Sequence, residues 1–140
     1  MKQYPEEALA VEHFDADMNC AQSVFLAFAE AGGLDRDTAL RLSSSFGGGL
    51  GGQGEVCGAL SGAAMAAGLL FGGYTPGDAE GKAAHYDRIK RLGEGFRAEA
   101  GSLLCRDLKK EDPEQRKQVC SALVALAARL LAREKEESLQ

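Results

Sequence analysis

An all-α, single-domain bundle of five to six helices is the fold that this 140-residue sequence predicts, and three observations predict it. No stretch alternates β-branched and polar residues with period two, and no Asn-Gly pair marks a hairpin. Helix start and stop signals recur along the chain. From Val119 onward, Cys120, Leu123, Leu126, Ala127, Leu130 and Leu131 keep the 3.6-residue period of one helical face. A glycine-rich loop is expected before the fourth helix. No repeat and no linker divides residues 1–140.

The elements follow from their end signals. Leu9, Val11 and Phe14, with Ala8 and Ala10, suggest a short first helix from Pro5 to Phe14. Asn19 reads as an N-cap, with Gln22 placed to return the hydrogen bond of a capping box. The second helix carries Val24, Phe25, Leu26 and Phe28 and stops at Gly32 and Gly33. Asp35 caps a third helix through Leu42, which ends at Ser43 to Ser45. A fourth is expected from about Glu55 to Leu70, closing at Gly72 and Gly73. Its small face, Gly58, Ala59, Gly62, Ala63, Ala66 and Ala67, lets a neighbour approach closely, within the chain or in a second subunit as a homo-oligomer. Thr75 and Pro76 read as the start of a fifth helix running to Gly101, and Ser102 as the cap of one further turn. Asp112 and Pro113 open the last helix, whose charged tail from Arg133 is expected to fray.

Composition narrows the function. Hydrophobic residues make up 45% and charged residues 26% of the chain, ordinary for a globular protein. A net charge of −5 argues against nucleic-acid binding, which needs clustered cations to displace counterions. Lys82, Arg88, Lys90 and Arg91 sit among acids and read as a solvated helix face. Glu6, Glu7 and Glu12 occupy the place of a signal peptide's apolar region. Val56 to Gly73 is too short and too rich in small residues for a membrane span. A cytoplasmic protein with no membrane span is therefore expected. In that setting, cysteines serve redox, catalytic or metal chemistry more often than permanent disulfides.

The stretch from Phe46 to Gly62 holds eight of the eighteen glycines, and Cys57 emerges from it. Gly47, Gly49 and Gly52 satisfy the letters of a dinucleotide fingerprint, but no strand precedes them and no βαβ unit surrounds them. Gln53 and Gly54 stand where a Walker motif needs Lys and Ser or Thr. Phosphate binding is therefore not the loop's purpose.

The cysteines are more telling. Cys20 and Cys57 each fall in an expected first helical turn, where free N–H groups and the macrodipole favour a thiolate. Cys105 shares the arrangement if Ser102 is its cap. Thiolates serve disulfide exchange and metal ligation alike, so both readings stay open. The ordinary structural alternative is a buried small hydrophobe, the natural reading of Cys120 on its apolar stripe. The intervals of 37, 48 and 15 residues contain no C-x-x-C pair, which excludes a thioredoxin motif and a zinc ribbon. A four-cysteine metal site requires four helices to converge. His13 and His85 lack motif partners and read as surface or satisfied helical histidines. Glu55 reads as a first-turn acid, and no carboxylate pair has spacing specific to acid–base work.

Taken together, Cys57-Gly58-Ala59-Leu60-Ser61-Gly62 resembles the C-G-A-x-x-G core of the C-GCAxxG-C-C family, small proteins to which redox activity is ascribed. Asn19-Cys20-Ala21-Gln22 is similar to that family's first cysteine segment, and Phe46-Gly47-Gly48-Gly49 to its glycine approach. Cys105-Arg106-Asp107-Leu108 and Cys120 resemble its third and fourth cysteine positions. The likeness runs in order over almost the whole chain. One departure is the short, charged connection Lys109-Lys110-Glu111, where a longer one is expected.

The resemblance implies a redox-active protein whose catalytic residues are Cys20, Cys57, Cys105 and Cys120, cycling between dithiol and disulfide or carrying electrons to a redox partner whose identity is unknown. The unencumbered loop makes Cys57 the expected reactive thiol and Cys20 its resolving partner, with Cys105 and Cys120 as a second pair or relay. One alternative is a metal or iron–sulfur protein with the four cysteines as ligands. Another is a non-catalytic helical interaction module in which they fill the core. No cofactor is specified by the residues.

Overall fold

The computed structural model describes residues 3–138; Met1, Lys2, Leu139 and Gln140 lie outside the described residues. The described residues form seven α-helices: α1 (Pro5–Asp15), α2 (Cys20–Ala29), α3 (Arg36–Ser43), α4 (Gly58–Phe71), α5 (Ala79–Ala100), α6 (Cys105–Leu108) and α7 (Pro113–Ser138). A short 3₁₀ turn, Ser44–Phe46, follows α3. The expected five to six helices become seven because the single turn α6 stands as an element of its own.

The bundle is assembled around α2, eight of whose ten residues are buried. A helix that is apolar on every side needs neighbours on every side, and α1, α3, α4 and α7 supply them. The closest approach is to α4. A Cβ added at Gly62 would lie 2.6 Å from the Ala21 carbonyl oxygen, and one at Gly58 would lie 2.5 Å from Cys20 Sγ. The small-residue face expected on the fourth helix is thus used inside the chain, against α2. Phe28 of α2, Phe96 of α5 and Leu131 of α7 are fully buried in the same core.

Two helices begin later than their sequence signals predict. The fourth helix begins at Gly58, with Cys57 at its N-cap, because the chain from Glu55 to Cys57 is engaged in extended pairing. The fifth begins at Ala79, capped by Asp78, whose side chain accepts from the Gly81 N–H at 3.0 Å. Thr75 to Asp78 is instead a turn closed by an Asp78 N–H to Thr75 carbonyl bond of 3.0 Å, with Gly77 at φ +92°. Proline at the second place and a left-handed glycine at the third suit a type II turn, and the same letters mimic a helix start.

The charged C-terminal tail does not fray but stays helical to Ser138. Glu134, only 13% exposed, takes ion pairs from Arg88 and Arg91 of α5, and Lys135 Nζ meets Glu6 of α1 at 2.8 Å. Arg88 also stacks on the Phe71 ring, 3.6 Å from its centroid. The basic face of α5 expected to be solvated is therefore partly docked. Two cations outweigh burial at Glu134 and hold its carboxyl below the usual range. Among the described residues, no helix is long and apolar enough to cross a membrane.

Candidate functional site: a cavity lined by four thiols

Cys20 opens α2. Its N-cap is the expected capping box: Gln22 N–H donates to Asn19 Oδ1 at 2.8 Å, and Asn19 N–H donates to Gln22 Oε1 at 3.0 Å. Both side chains also reach the end of α3. Asn19 Nδ2 donates to the Ser44 carbonyl and Gln22 Nε2 to that of Leu40, each at 3.1 Å. The first turn of α2 is fixed from two directions, and Cys20 with it.

The glycine loop brings the second thiol to the first. Gly49 stands at φ +73°, and a Cβ there would lie 2.5 Å from the Glu55 nitrogen and 2.8 Å from Cys105 Cβ. Only glycine combines that conformation with that proximity. Beyond the loop, residues 54–57 pair antiparallel with residues 103–106 around a Val56–Leu104 bridge. Cys57 N–H donates to the Leu103 carbonyl at 2.8 Å, and Cys105 N–H to that of Glu55 at 2.7 Å. Arg106 closes the clasp. Its backbone N–H and its Nε both donate to the Gly54 carbonyl, at 3.1 and 3.0 Å, while its guanidinium pairs with Glu55. Glu55, expected as a first-turn acid of the fourth helix, is a partner in this clasp instead.

Cys57 and Cys105 thus sit on paired segments 48 positions apart in sequence. Cys105 is the first residue of α6, but Leu104 takes the cap position that Ser102 was expected to fill. Ser102 Oγ braces the turn from outside, accepting from Leu104 N–H at 3.0 Å and donating to Asp107 at 2.8 Å. Cys120 comes from α7 and is half-buried.

All four thiols are free, and all four line one cavity of about 350 Å³. Phe14, Leu108 and Leu123 give the cavity apolar surface, and Lys109 and Arg116 bring positive charge to it. The sequence marks none of these five as a site residue. Lys109 stood in the charged connection noted above, which was the available signal; the apolar three were indistinguishable from core.

The electrostatics reverse one expectation. Cys57 is 4% exposed, and burial, reinforced by negative charge on Cys20, pushes its thiol up to about 12. The Ala59 and Leu60 N–H groups pull the other way without closing a cap hydrogen bond to the sulfur, and they lose. A helix start favours an anion only while water or a hydrogen bond also solvates it. Cys57 is therefore not the readily ionised thiol its position suggested. Burial and then Cys20 also raise Cys105 and Cys120; Lys109 and Arg116 oppose the rise at Cys105, and Arg116 opposes it at Cys120. Cys20, half-buried at the start of α2, is the one thiol whose charge is felt by the other three.

Among the described residues, no three of His, Cys, Asp and Glu gather closely enough to hold a metal ion. His13 is neither at the surface nor satisfied: it is buried, and its Nε2 has no hydrogen-bond partner in the described structure. His85 packs its ring against Tyr74, 6.2 Å between centroids.

No curated protein and no solved structure matches the chain. The segment from residue 18 to residue 134, which contains every cysteine and the whole cavity lining except Phe14, matches the family described as putative redox-active protein (C_GCAxxG_C_C). The chain belongs to that family.

Proposed function

We propose that the protein is a thiol–disulfide exchange protein in which Cys20 attacks and Cys57 resolves. The observation that carries this reading is the convergence of four free thiols, from segments spread over a hundred positions, on a single cavity. A core-filling role would scatter them through the interior, but three of the four are only half-buried and face the cavity. A metal-ligand role would need at least three of the sulfurs to close on one point.

The order of attack follows from burial. The Cys20 thiolate bonds to one sulfur of a disulfide R–S–S–R, the S–S bond breaks, and RS⁻ leaves. Burial, and after it negative charge on Cys20, holds the proton on Cys57, so capture of Cys20 as a neutral mixed disulfide removes the second of these two restraints. The Cys57 sulfur then bonds to Cys20, the second RS⁻ departs, and Cys57's proton goes to it. Two protein thiols are oxidised and one disulfide is reduced to two thiols. Cys105 and Cys120, on the same cavity, form a second dithiol that can return the Cys20–Cys57 disulfide to its reduced form by the same exchange.

Mass spectrometry of the protein treated with a small disulfide tests the roles. Cys57→Ser should accumulate a mixed disulfide at Cys20, while the parent protein proceeds to an internal Cys20–Cys57 disulfide. If Cys20→Ser reacts as fast as the parent, or no internal disulfide forms, the reading is wrong.

A further inference from the structure

We infer that the cavity takes a small disulfide bearing a carboxylate, selected by Lys109 and Arg116. This inference deepens the thiol-exchange reading and rests on it. A cavity of about 350 Å³ has the size of a small organic ligand's site rather than that of a lone ion. Its surface divides into three chemistries: the sulfurs, the apolar side chains of Phe14, Leu108 and Leu123, and the two cations. Both cations are exposed, and among the described residues neither is paired with a carboxylate. Their neighbour Arg106, by contrast, is tied to Glu55.

Arg116 is also held in place. Its Nε donates to the Lys110 carbonyl at 2.7 Å, which leaves the terminal amino groups of the guanidinium for an anion. Lys110 follows Lys109 directly, so one hydrogen bond fixes the spacing of the pair. Both charges act at the thiols, since Lys109 and Arg116 work against the burial effect at Cys105. The chain as a whole carries a charge of −5, which repels anions at long range, so unpaired cations beside the thiols give local selection against the general field. In the exchange step, the carboxylate of the half captured on Cys20 rests on this pair while the other half leaves as a thiolate.

Three probes with the same S–S bond and different charge provide the test: dithiodipropionate, with two carboxylates; hydroxyethyl disulfide, uncharged; and cystamine, with two ammonium groups. Each rate of mixed-disulfide formation is divided by the rate of the same probe with dithiothreitol, which removes differences in leaving-group reactivity. At low salt, the normalised rate for dithiodipropionate should exceed that for hydroxyethyl disulfide by about tenfold, with cystamine slowest and the preference shrinking as salt is added. The double variant Lys109→Gln, Arg116→Gln should bring the three rates together. Arg116→Lys keeps the charge but loses the bond to Lys110, and should retain most of the preference. Equal normalised rates in the parent protein, or an undiminished preference in the double variant, overturn the inference while leaving thiol exchange standing. If no probe forms a disulfide with any cysteine, thiol exchange itself falls and this inference with it.

Discussion

Alanine placed at three glycines of α4 should change stability in opposite directions, and the structure supplies the sign of each. At Gly58 a Cβ would lie 2.5 Å from Cys20 Sγ and 2.7 Å from the Phe46 carbonyl oxygen. At Gly62 it would lie 2.6 Å from the Ala21 carbonyl oxygen, with two more Ala21 backbone atoms at 3.3 Å. At Gly68 nothing stands within 4 Å. Overpacking costs about 1–3 kcal/mol, and alanine gains about 0.5–1 kcal/mol over glycine within a helix. The obstacle at Gly62 is backbone, which cannot rotate away, so Gly62→Ala should be destabilised by about 2 kcal/mol net. Gly58→Ala, where one obstacle is a short side chain, should lose about 1 kcal/mol. Gly68→Ala should gain about 0.5–1 kcal/mol. For a chain of this size, 1 kcal/mol corresponds to roughly 3 °C in Tm, so calorimetry on the reduced protein should place the variants in the order Gly68→Ala, parent, Gly58→Ala, Gly62→Ala. A second readout belongs to Gly58 alone: its Cβ displaces the Cys20 sulfur, so the alkylation rate of Cys20 should change in Gly58→Ala and stay near the parent value in Gly68→Ala. Should all three variants shift in the same direction, the packing of α4 on α2 described above is wrong.

Other perturbations separate the parts of the site. Arg106→Ala removes a largely exposed ion pair, worth about 0.2–1 kcal/mol, together with a side-chain bond to Gly54. Stability should fall by about 1 kcal/mol, while Cys105, released from the clasp, should be alkylated several-fold faster in a timed labelling experiment. His13 is held below its ordinary value of 6.5, chiefly by burial and then by Arg36. The unfolded chain binds its proton first, so stability is fully present above pH 6.5 and declines as pH falls below it. Denaturant titrations across that range should show the decline, and His13→Leu, which also removes an unpartnered buried nitrogen, should flatten it. Glu134, also held low, adds a further loss only below its ordinary value of 4.5. Purified under reducing, anaerobic conditions and incubated with zinc or ferrous iron, the protein should keep thiols that alkylate at metal-free rates. Stoichiometric metal that protects all four would instead establish the ligand reading.

Local signals in the sequence were read well where local physics decides. Asn19 with Gln22 closes the capping box, and Asp35 caps α3 by accepting from Thr38 N–H at 3.0 Å. The apolar period from Val119 onward is a true helical face, with Leu123, Leu126, Ala127 and Leu131 buried along it. The four cysteines named from the sequence share one cavity. What escaped was non-local. The clasp joins Gly54 to Arg106, 52 positions away, through backbone groups that every residue carries, so no residue type announces it. The C-terminal tail read as solvated because Glu134 finds its cations 43 and 46 positions upstream. Lys109 and Arg116 became site residues only once α6 and the start of α7 folded beside the thiols.

Cys20 and Cys57 show why position along a helix does not by itself set a thiol's chemistry. Both stand at a helix start, and from sequence both invite the same argument from the macrodipole. At Cys20 the cap is made by Asn19, so the sulfur is free of that structural duty and remains half-open. At Cys57 the residue occupies the N-cap itself, forms no cap hydrogen bond through its sulfur, and is buried in the hydrophobic core. A macrodipole contributes about 0.3–1 kcal/mol toward an anion, whereas desolvation of a buried charge costs several, so the covered thiol keeps its proton. The difference lies in exposure: both sulfurs line the cavity, but the chain that leaves the glycine loop holds Cys57 at the buried start of α4, whereas Cys20 stays half-open. Widening the loop, for example by Gly49→Ala against the Glu55 backbone, should bring the two thiols closer in reactivity, with Cys57 alkylating faster relative to Cys20 than in the parent protein. An unchanged ratio in a variant whose clasp has demonstrably loosened, as read by faster labelling of Cys105, would show that burial by the loop is not what keeps Cys57 protonated.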